Sequence, residues 1–192
     1  MVKTEQGQVM IIVGVLLVVI LLFLGVLIDG ARLFIKKQEI NRVLDTAGKA
    51  GLIVAGDRMV TQVISAQTAA AAATPHPTSY NSTLDPSPTK TSAPDDFFAW
   101  LTKADHQTLV APPMQTIVAT HALGSLDKNG LGQENPDLID VSIIYPYQYN
   151  PGDQTLIILM KLDYRAAVIF GKILDLNQGV LSVSSKQTIP LR

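Results

Sequence analysis

The sequence has 192 residues, a net charge of −1 and no cysteine. Without cysteine there is no disulfide framework, no thiolate metal site and no cysteine nucleophile. The near-neutral charge gives no electrostatic basis for binding nucleic acid, so we expect no nucleic-acid partner. A chain of this length accommodates one membrane span and one globular domain.

An apolar segment stands near the amino terminus. Residues 9–28 contain no charge, no proline and no strongly polar side chain. At about 1.5 Å per residue in a helix, the segment covers the roughly 30 Å hydrocarbon core of a bilayer. A secretory signal peptide has a shorter apolar run and small residues before its cleavage site, so we expect the segment to be retained as a membrane span.

The helical pattern continues well beyond this span. Leu33, Ile40, Leu44 and Ala47 recur at intervals of three, four or seven, which is helical spacing, and no proline appears before Pro75. Residues 1–73 are predicted to form one long helix, which from about Glu5 to about Ala73 would be roughly 100 Å long, more than three times the thickness of the bilayer core. Most of it therefore needs a protein partner.

Small residues indicate where this helix packs. Ala47, Gly51 and Ala55 lie four apart and would form a groove that another backbone can approach closely. Gly14 and Gly25 are eleven apart, close to three full turns, and so fall on nearly one face of the apolar segment. The alternative is that membrane helices simply tolerate glycine.

Residues 74–94, TPHPTSYNSTLDPSPTKTSAP, form a predicted surface loop, because they hold five of the eleven prolines among Ser, Thr and Asn. This composition favours a loop that lies outside the cell. The positive-inside rule gives the opposite orientation, because the cations after the span would place the carboxyl side in the cytoplasm, and we do not follow it here. An unmodified loop is one alternative and glycosylation the other. The candidate positions are Asn81, Ser82, Thr83, Thr89 and Thr91.

Residues 95–192 are predicted to form an α+β head domain. A short helix is expected in SAPDDFFAWLTKA, capped by Ser92 or started by Pro94. Runs rich in β-branched residues between Gly, Pro, Asn and Asp predict strands at residues 116–123, 138–145, 155–163 and 180–189. Residues 165–174 fit helix or strand. A small antiparallel sheet packed on the distal half of the long helix buries both apolar faces, which gives an α+β fold.

One loop of the head has partial calcium-loop spacing. In LDKNGLGQENPDLID, Asp127, Asn129 and Gly132 stand at positions one, three and six, but leucines occupy positions five and twelve. An ordinary polar loop is the alternative to a calcium site. If calcium binds, the candidate ligands are Asp127, Asn129, Glu134 and Asp137; no other cofactor is expected.

Catalytic patterns are otherwise absent from the sequence. The three histidines are scattered, and no zinc-protease, nucleophile-elbow or phosphate-binding glycine motif can be read. We therefore expect the protein not to be an enzyme.

Both ends of the chain resemble one family. EQGQVMII, the apolar run and GVLIDGARLFIKKQEINRVLDTAGKAGL, together with the endings DVSIIYPYQ and VIFGKILDLNQGVLSVSSKQTIPLR, are similar to TadE/TadG-like proteins of tight-adherence (Tad) pili, a branch of the type IV pilus systems. The resemblance implies a pilin-like subunit. Such a subunit is stored in the inner (cytoplasmic) membrane by its helix, with its head outside, and is then built by an assembly machinery into a cell-surface filament for adhesion.

The resemblance also directs attention to three charged residues. Pilins carry a glutamate as the fifth residue of the mature chain, which Glu5 matches only if Met1 is the mature terminus. The alternative is that Met1 is the initiator and Glu5 only places a negative charge in the first turns of the helix, where the helix dipole favours it. Asp29 and Arg32 would form an exposed helical pair or mark the membrane edge.

Three functions remain open from the sequence. The first is a structural subunit that polymerises with copies of itself into an extracellular filament. The second is a minor pseudopilin or assembly component that stays at the membrane. The third is a single-pass membrane-anchored domain that binds a ligand, which a helix broken near Gly30 would favour.

Overall fold

A computed structural model of the chain describes residues 3–73, 101–150, 155–170 and 178–190. Its first element is α1, Lys3–Ala73, a single unbroken helix of 71 residues. At about 1.5 Å per residue it is roughly 105 Å long. This confirms the continuous helix predicted from the absence of proline.

Two shorter helices follow. α2, Lys103–Val110, begins with a capping box in which the Thr102 hydroxyl accepts the backbone N–H of Asp105, and the Asp105 carboxylate accepts that of Thr102. α3, Pro112–Lys128, starts with two prolines, whose missing N–H groups cost nothing in a first turn. The helix predicted at residues 92–104 lies mostly outside the described residues. Within the described part, α2 begins at Lys103.

The strand predicted at residues 116–123 is wrong, because these residues lie within α3. The sequence TIVATHAL is rich in β-branched residues, but its buried positions follow the helical period. Met114, Val118, Ala122 and Leu126 are buried at intervals of four and form one face of the helix. Tertiary packing of this face outweighs the modest strand propensity of Thr, Ile and Val.

The other three predicted strands are confirmed, and each is longer than predicted. They are β1 (Leu138–Asn150), β2 (Thr155–Ala167) and β3 (Gln178–Pro190), which form an antiparallel sheet with β2 in the centre. Of the ambiguous residues 165–174, the first three end β2, and residues 171–174 lie outside the described part. The pairing of β1 shifts register between Ile144 and Gln148, around the cis Tyr145–Pro146 bond, which suits an edge strand.

The head is a two-layer structure in which the distal half of α1 is part of the core. Alternate β2 residues, among them Ile158, Met160 and Leu162, are buried against α1. The opposite face of the sheet carries polar side chains such as Ser142, Lys161 and Ser184. α3 packs beside α1 in the helical layer. The predicted α+β fold, a small sheet on the distal half of a long helix, is therefore observed.

Candidate functional site

The amino-terminal part of α1 is the most unusual surface of the described chain. Its large apolar side chains between residues 9 and 28 are 40–80% exposed, from Leu22 at 40% to Met10 at 80%. We call residues 9–28 the uncovered segment. By length and composition this helix can cross a membrane, and 6% of its apolar window is buried within the chain. Such a surface is far larger than the apolar patches that monomeric soluble proteins expose.

The two glycines of the uncovered segment have different surroundings. A Cβ placed on Gly14 would meet nothing within 4 Å. A Cβ on Gly25 would lie 2.5 Å from Cδ1 and 2.6 Å from Cγ of Phe170, so the missing side chain makes room for the Phe170 ring. Gly25 therefore packs against the head of its own chain, and Gly14 faces open space.

The head is fastened to the helix at Asp29, immediately after the uncovered segment. The Asp29 Oδ1 atom accepts the backbone N–H of Ile169 at 3.0 Å, and Oδ2 accepts that of Phe170 at 2.7 Å. Asp29 is 6% exposed, so the predicted exposure of this residue is wrong. Its pairing with Arg32 and its place at a membrane edge stay predictions. Arg32 itself is exposed.

A second polar attachment lies four turns further along α1. The Asp45 carboxylate accepts the hydroxyl of Ser185 at 2.5 Å and the side-chain amide of Gln187 at 2.7 Å, both from β3. Ser185 is buried. Since Gly48 has no side chain, the Gln187 chain can lie close to the helix, where a Cβ would be 2.8 Å from Gln187 Cγ. Hydrogen bonds to a carboxylate are among the stronger ones, so this contact helps the apolar core to hold the head on the helix.

The small-residue groove is occupied within the chain. A Cβ on Gly51 would lie 3.1 Å from the Val118 carbonyl oxygen and 3.4 Å from Ala122 Cβ, so the backbones of α1 and α3 approach closely there. Ala47 and Ala55 are fully buried. These three residues are buried within their own chain. The apolar surface of α1 that stays open to other molecules is the uncovered segment, together with scattered side chains such as Phe34 and Ile53.

Several predicted positions have no described side-chain environment. Glu5 lies in α1, but its side chain is outside the described part, and so are the candidate glycosylation positions. Those positions are Asn81, Ser82, Thr83, Thr89 and Thr91.

Of the candidate calcium ligands, Asp127 lies in the last turn of α3, and the other three lie between α3 and β1. Asn129 donates its side-chain amide to the Ser125 carbonyl at 2.7 Å, and Asp137 Oδ2 accepts the Tyr164 hydroxyl at 3.3 Å. Glu134 is exposed. Within the described residues, no three His, Asp or Glu side chains are grouped to hold a metal. Asp127 begins the turn that contains Gly130, whose φ is +74°.

Tyrosines of the sheet join it to the helices. The buried Tyr145 hydroxyl donates to the Leu109 carbonyl at 3.0 Å, and burial raises the pKa of Tyr145. Tyr149 is hydrogen-bonded to Nδ1 of His106, and burial raises its pKa as well. Tyrosines with raised pKa values stay neutral near pH 7 and act here as structural donors.

Within the described residues, the geometry defines an α+β chain with one helix that can span a membrane and a head fastened to the distal half of that helix. Comparison with protein-family models, with curated proteins and with solved structures found no match to this chain.

Proposed function

We propose that this protein is a pilin-like structural subunit whose uncovered segment is held in a membrane before assembly and is later packed among the helices of other copies. The observation that carries the proposal is the contrast along one continuous helix. Residues 9–28 expose 40–80% of each large apolar side chain, whereas the distal half buries one face, with residues such as Ile40, Leu44 and Leu52, in the chain's own core. An apolar surface of this size needs a cover of lipid or protein.

The physical cost of moving between these two covers is small. Lipid tails are as apolar as leucine side chains, so transfer of the uncovered segment from lipid to a bundle of helices exposes no apolar surface to water. Gly14 supports packing among the helices of other copies, because nothing lies within 4 Å of its Cβ position and a neighbouring helix can approach there.

The rigid attachment of the head also supports polymerisation. α1 continues without a break through Gly25–Arg32, and the bonds at Asp29 and Asp45 hold the head in one orientation on it. A regular helical filament requires that every copy present the same surface to its neighbours. Adhesion through such a filament follows from the family resemblance and belongs to the same proposal.

A single-pass membrane-anchored domain is the second candidate. It is supported by the burial of Ala47, Gly51 and Ala55 within the chain, since that groove is closed to other subunits. The unbroken helix near Gly30 does not favour it. A minor pseudopilin would have the same structure as a major one, and abundance separates the two.

The deciding experiment is to shear intact cells, collect the released fibres, and measure the intact mass and amino-terminal sequence of their main component. If this chain dominates the fibres, it is the structural subunit, and its terminus shows whether Glu5 is the fifth residue of the mature protein. If the chain stays full-length in the membrane and is scarce, the filament role is refuted and the anchored or minor-component functions take its place.

A further inference from the structure

Residues 168–170, which follow β2, reach back to the level of the uncovered segment. Phe170 packs on Gly25, and the backbone N–H groups of Ile169 and Phe170 bind Asp29. Gly25 precedes Ile28, the last residue of the segment, by three positions. At about 1.5 Å per residue, the Phe170 ring therefore lies roughly 4.5 Å inside the end of the segment, measured along the helix axis.

We propose that residues 168–170 are a second membrane contact, which inserts Ile169 and Phe170 into the outer edge of the same bilayer that the uncovered segment crosses. The side chains are apolar, and Ile169 is 48% exposed although it lies one residue from a ring packed on the span. Apolar groups that bind membrane surfaces enter the boundary between headgroups and acyl chains to a depth of about 5–10 Å, which matches the level of the ring.

Charge at the same level agrees with a lipid partner. Arg32 is exposed and stands four residues after Ile28, which is about 6 Å along the axis. The headgroup layer occupies roughly 5–7 Å on each side of the hydrocarbon core, so the guanidinium lies among lipid phosphates when Ile28 ends the core. The Asp29 carboxylate at this boundary is covered by the two N–H groups and is only 6% exposed.

This contact would hold the head upright. A single helix lets the head tilt relative to the membrane normal, whereas a second apolar contact at the same depth restricts this tilt. The inference rests on the uncovered segment crossing a bilayer, and it holds whether or not the chain polymerises.

The absence of cysteine permits a direct test with one spin label per molecule. The full chain is reconstituted into vesicles of phosphatidylcholine with a minority of phosphatidylglycerol, as the variants Ile169→Cys, Ile53→Cys and Val18→Cys, each labelled with a nitroxide. Ile53 is the matched control, because it is an isoleucine, 58% exposed and roughly 38 Å beyond Ile28 along the helix. Val18 reports insertion of the span.

We expect the ratio of oxygen to nickel-chelate accessibility at position 169 to exceed that at position 53 by roughly threefold or more, because oxygen concentrates in lipid and the chelate in water. Equal ratios at positions 169 and 53 refute the proposal, and so does a water-like ratio at position 18. Protection from both reagents at position 169, with spin–spin broadening between labels, would mean that another copy covers this surface and would refute the lipid contact.

A second pair of variants tests the placement of residues 168–170. Gly25→Leu, in the Ile169→Cys chain, drives a side chain into the Phe170 ring, whereas Gly14→Leu enters open space. Gly25→Leu should move the label to a more water-like ratio while Gly14→Leu leaves it unchanged. Unchanged ratios in both variants would show that the Gly25 contact does not set the depth of residue 169, and the proposal would fail.

Discussion

The Asp45 attachment gives the most direct test of how the head is held on the helix. Its carboxylate accepts two hydrogen bonds from β3, one from the Ser185 hydroxyl at 2.5 Å and one from the Gln187 amide at 2.7 Å. Asp45→Ala removes both. Ser185 is only 6% exposed, so its hydroxyl proton loses its acceptor in a place that water reaches poorly. The other partner, Gln187, is half-buried and can bind water instead.

The expected cost follows from these environments. The bond from the buried Ser185 to the charged carboxylate contributes about 1.5–3 kcal/mol. The bond from Gln187 contributes less, near the lower end of the range of about 0.5–1.5 kcal/mol for neutral hydrogen bonds, because the Gln187 amide can bind water when Asp45 is removed. We therefore expect Asp45→Ala to lower the free energy of unfolding by roughly 2–4 kcal/mol. Asp45→Asn keeps an acceptor oxygen but no charge, so it should cost about half as much.

The measurement is urea unfolding of the full chain in mild detergent micelles, followed by near-ultraviolet circular dichroism of the sheet tyrosines. Asp57→Ala is the control, because Asp57 is an exposed aspartate on the same helix and should change stability by less than about 0.5 kcal/mol. A double-mutant cycle between Asp45→Ala and Ser185→Ala should give a coupling energy of at least about 1 kcal/mol. No coupling, or equal effects at positions 45 and 57, would refute the argument.

Three further predictions concern packing, pH and assembly. Gly51→Leu should lower the free energy of unfolding by about 1–3 kcal/mol, because the new side chain overpacks against α3. Gly124→Ala enters open space and should raise it by about 0.5–1 kcal/mol; the reverse order in urea unfolding would contradict the observed packing. Hydrogen bonds from Thr102 lower the pKa of Asp105. The ionised Asp105 carboxylate therefore contributes fully to the free energy of unfolding above the ordinary carboxyl pKa, and this contribution is lost as the pH falls through the lowered pKa. Asp105→Asn should remove this contribution, a few tenths of a kcal/mol for a largely exposed group, from unfolding curves measured against pH. Gly14→Leu should reduce the yield of sheared fibres, and Val15→Leu, equally apolar, should not; equal yields would exclude close helix packing at Gly14.

Local patterns predicted most of the fold because most elements have strong local signals. The continuous helix follows from the missing prolines, and β1, β2 and β3 follow from β-branched runs between breakers. Residues 116–123 were misassigned because TIVATHAL satisfies the composition of a strand, and only the spacing of its buried residues identifies a helix. Pro112 and Pro113 were an available signal, since proline is favoured in the first turn of a helix.

The sequence predicts the part of the candidate site that is formed by one continuous segment, and it does not predict the contacts between residues far apart in the chain. The uncovered segment is visible in the sequence, because twenty apolar residues in succession carry their own signal. The partners of Asp29 and Asp45 are about 140 residues away in the chain, and no local pattern pairs residues at that separation. The spacing of Ala47, Gly51 and Ala55 indicates close helix packing but does not name the partner helix, which the structure shows to be α3.

The division of α1 into two halves has a consequence for any transfer out of a membrane. One face of the distal half is bound to the sheet and to α3 by the core and by Asp45, so these contacts are already made within the single chain. The uncovered segment has no covering from its own chain apart from the contact at Gly25 within the described residues. A change of surroundings can therefore replace lipid by neighbouring helices around residues 9–28 without unfolding the head. Phe170 is the exception, because its ring packs on Gly25 of the uncovered segment although it belongs to the head. If Ile169 inserts into lipid as proposed, a transfer out of the bilayer would require a new apolar cover for its side chain.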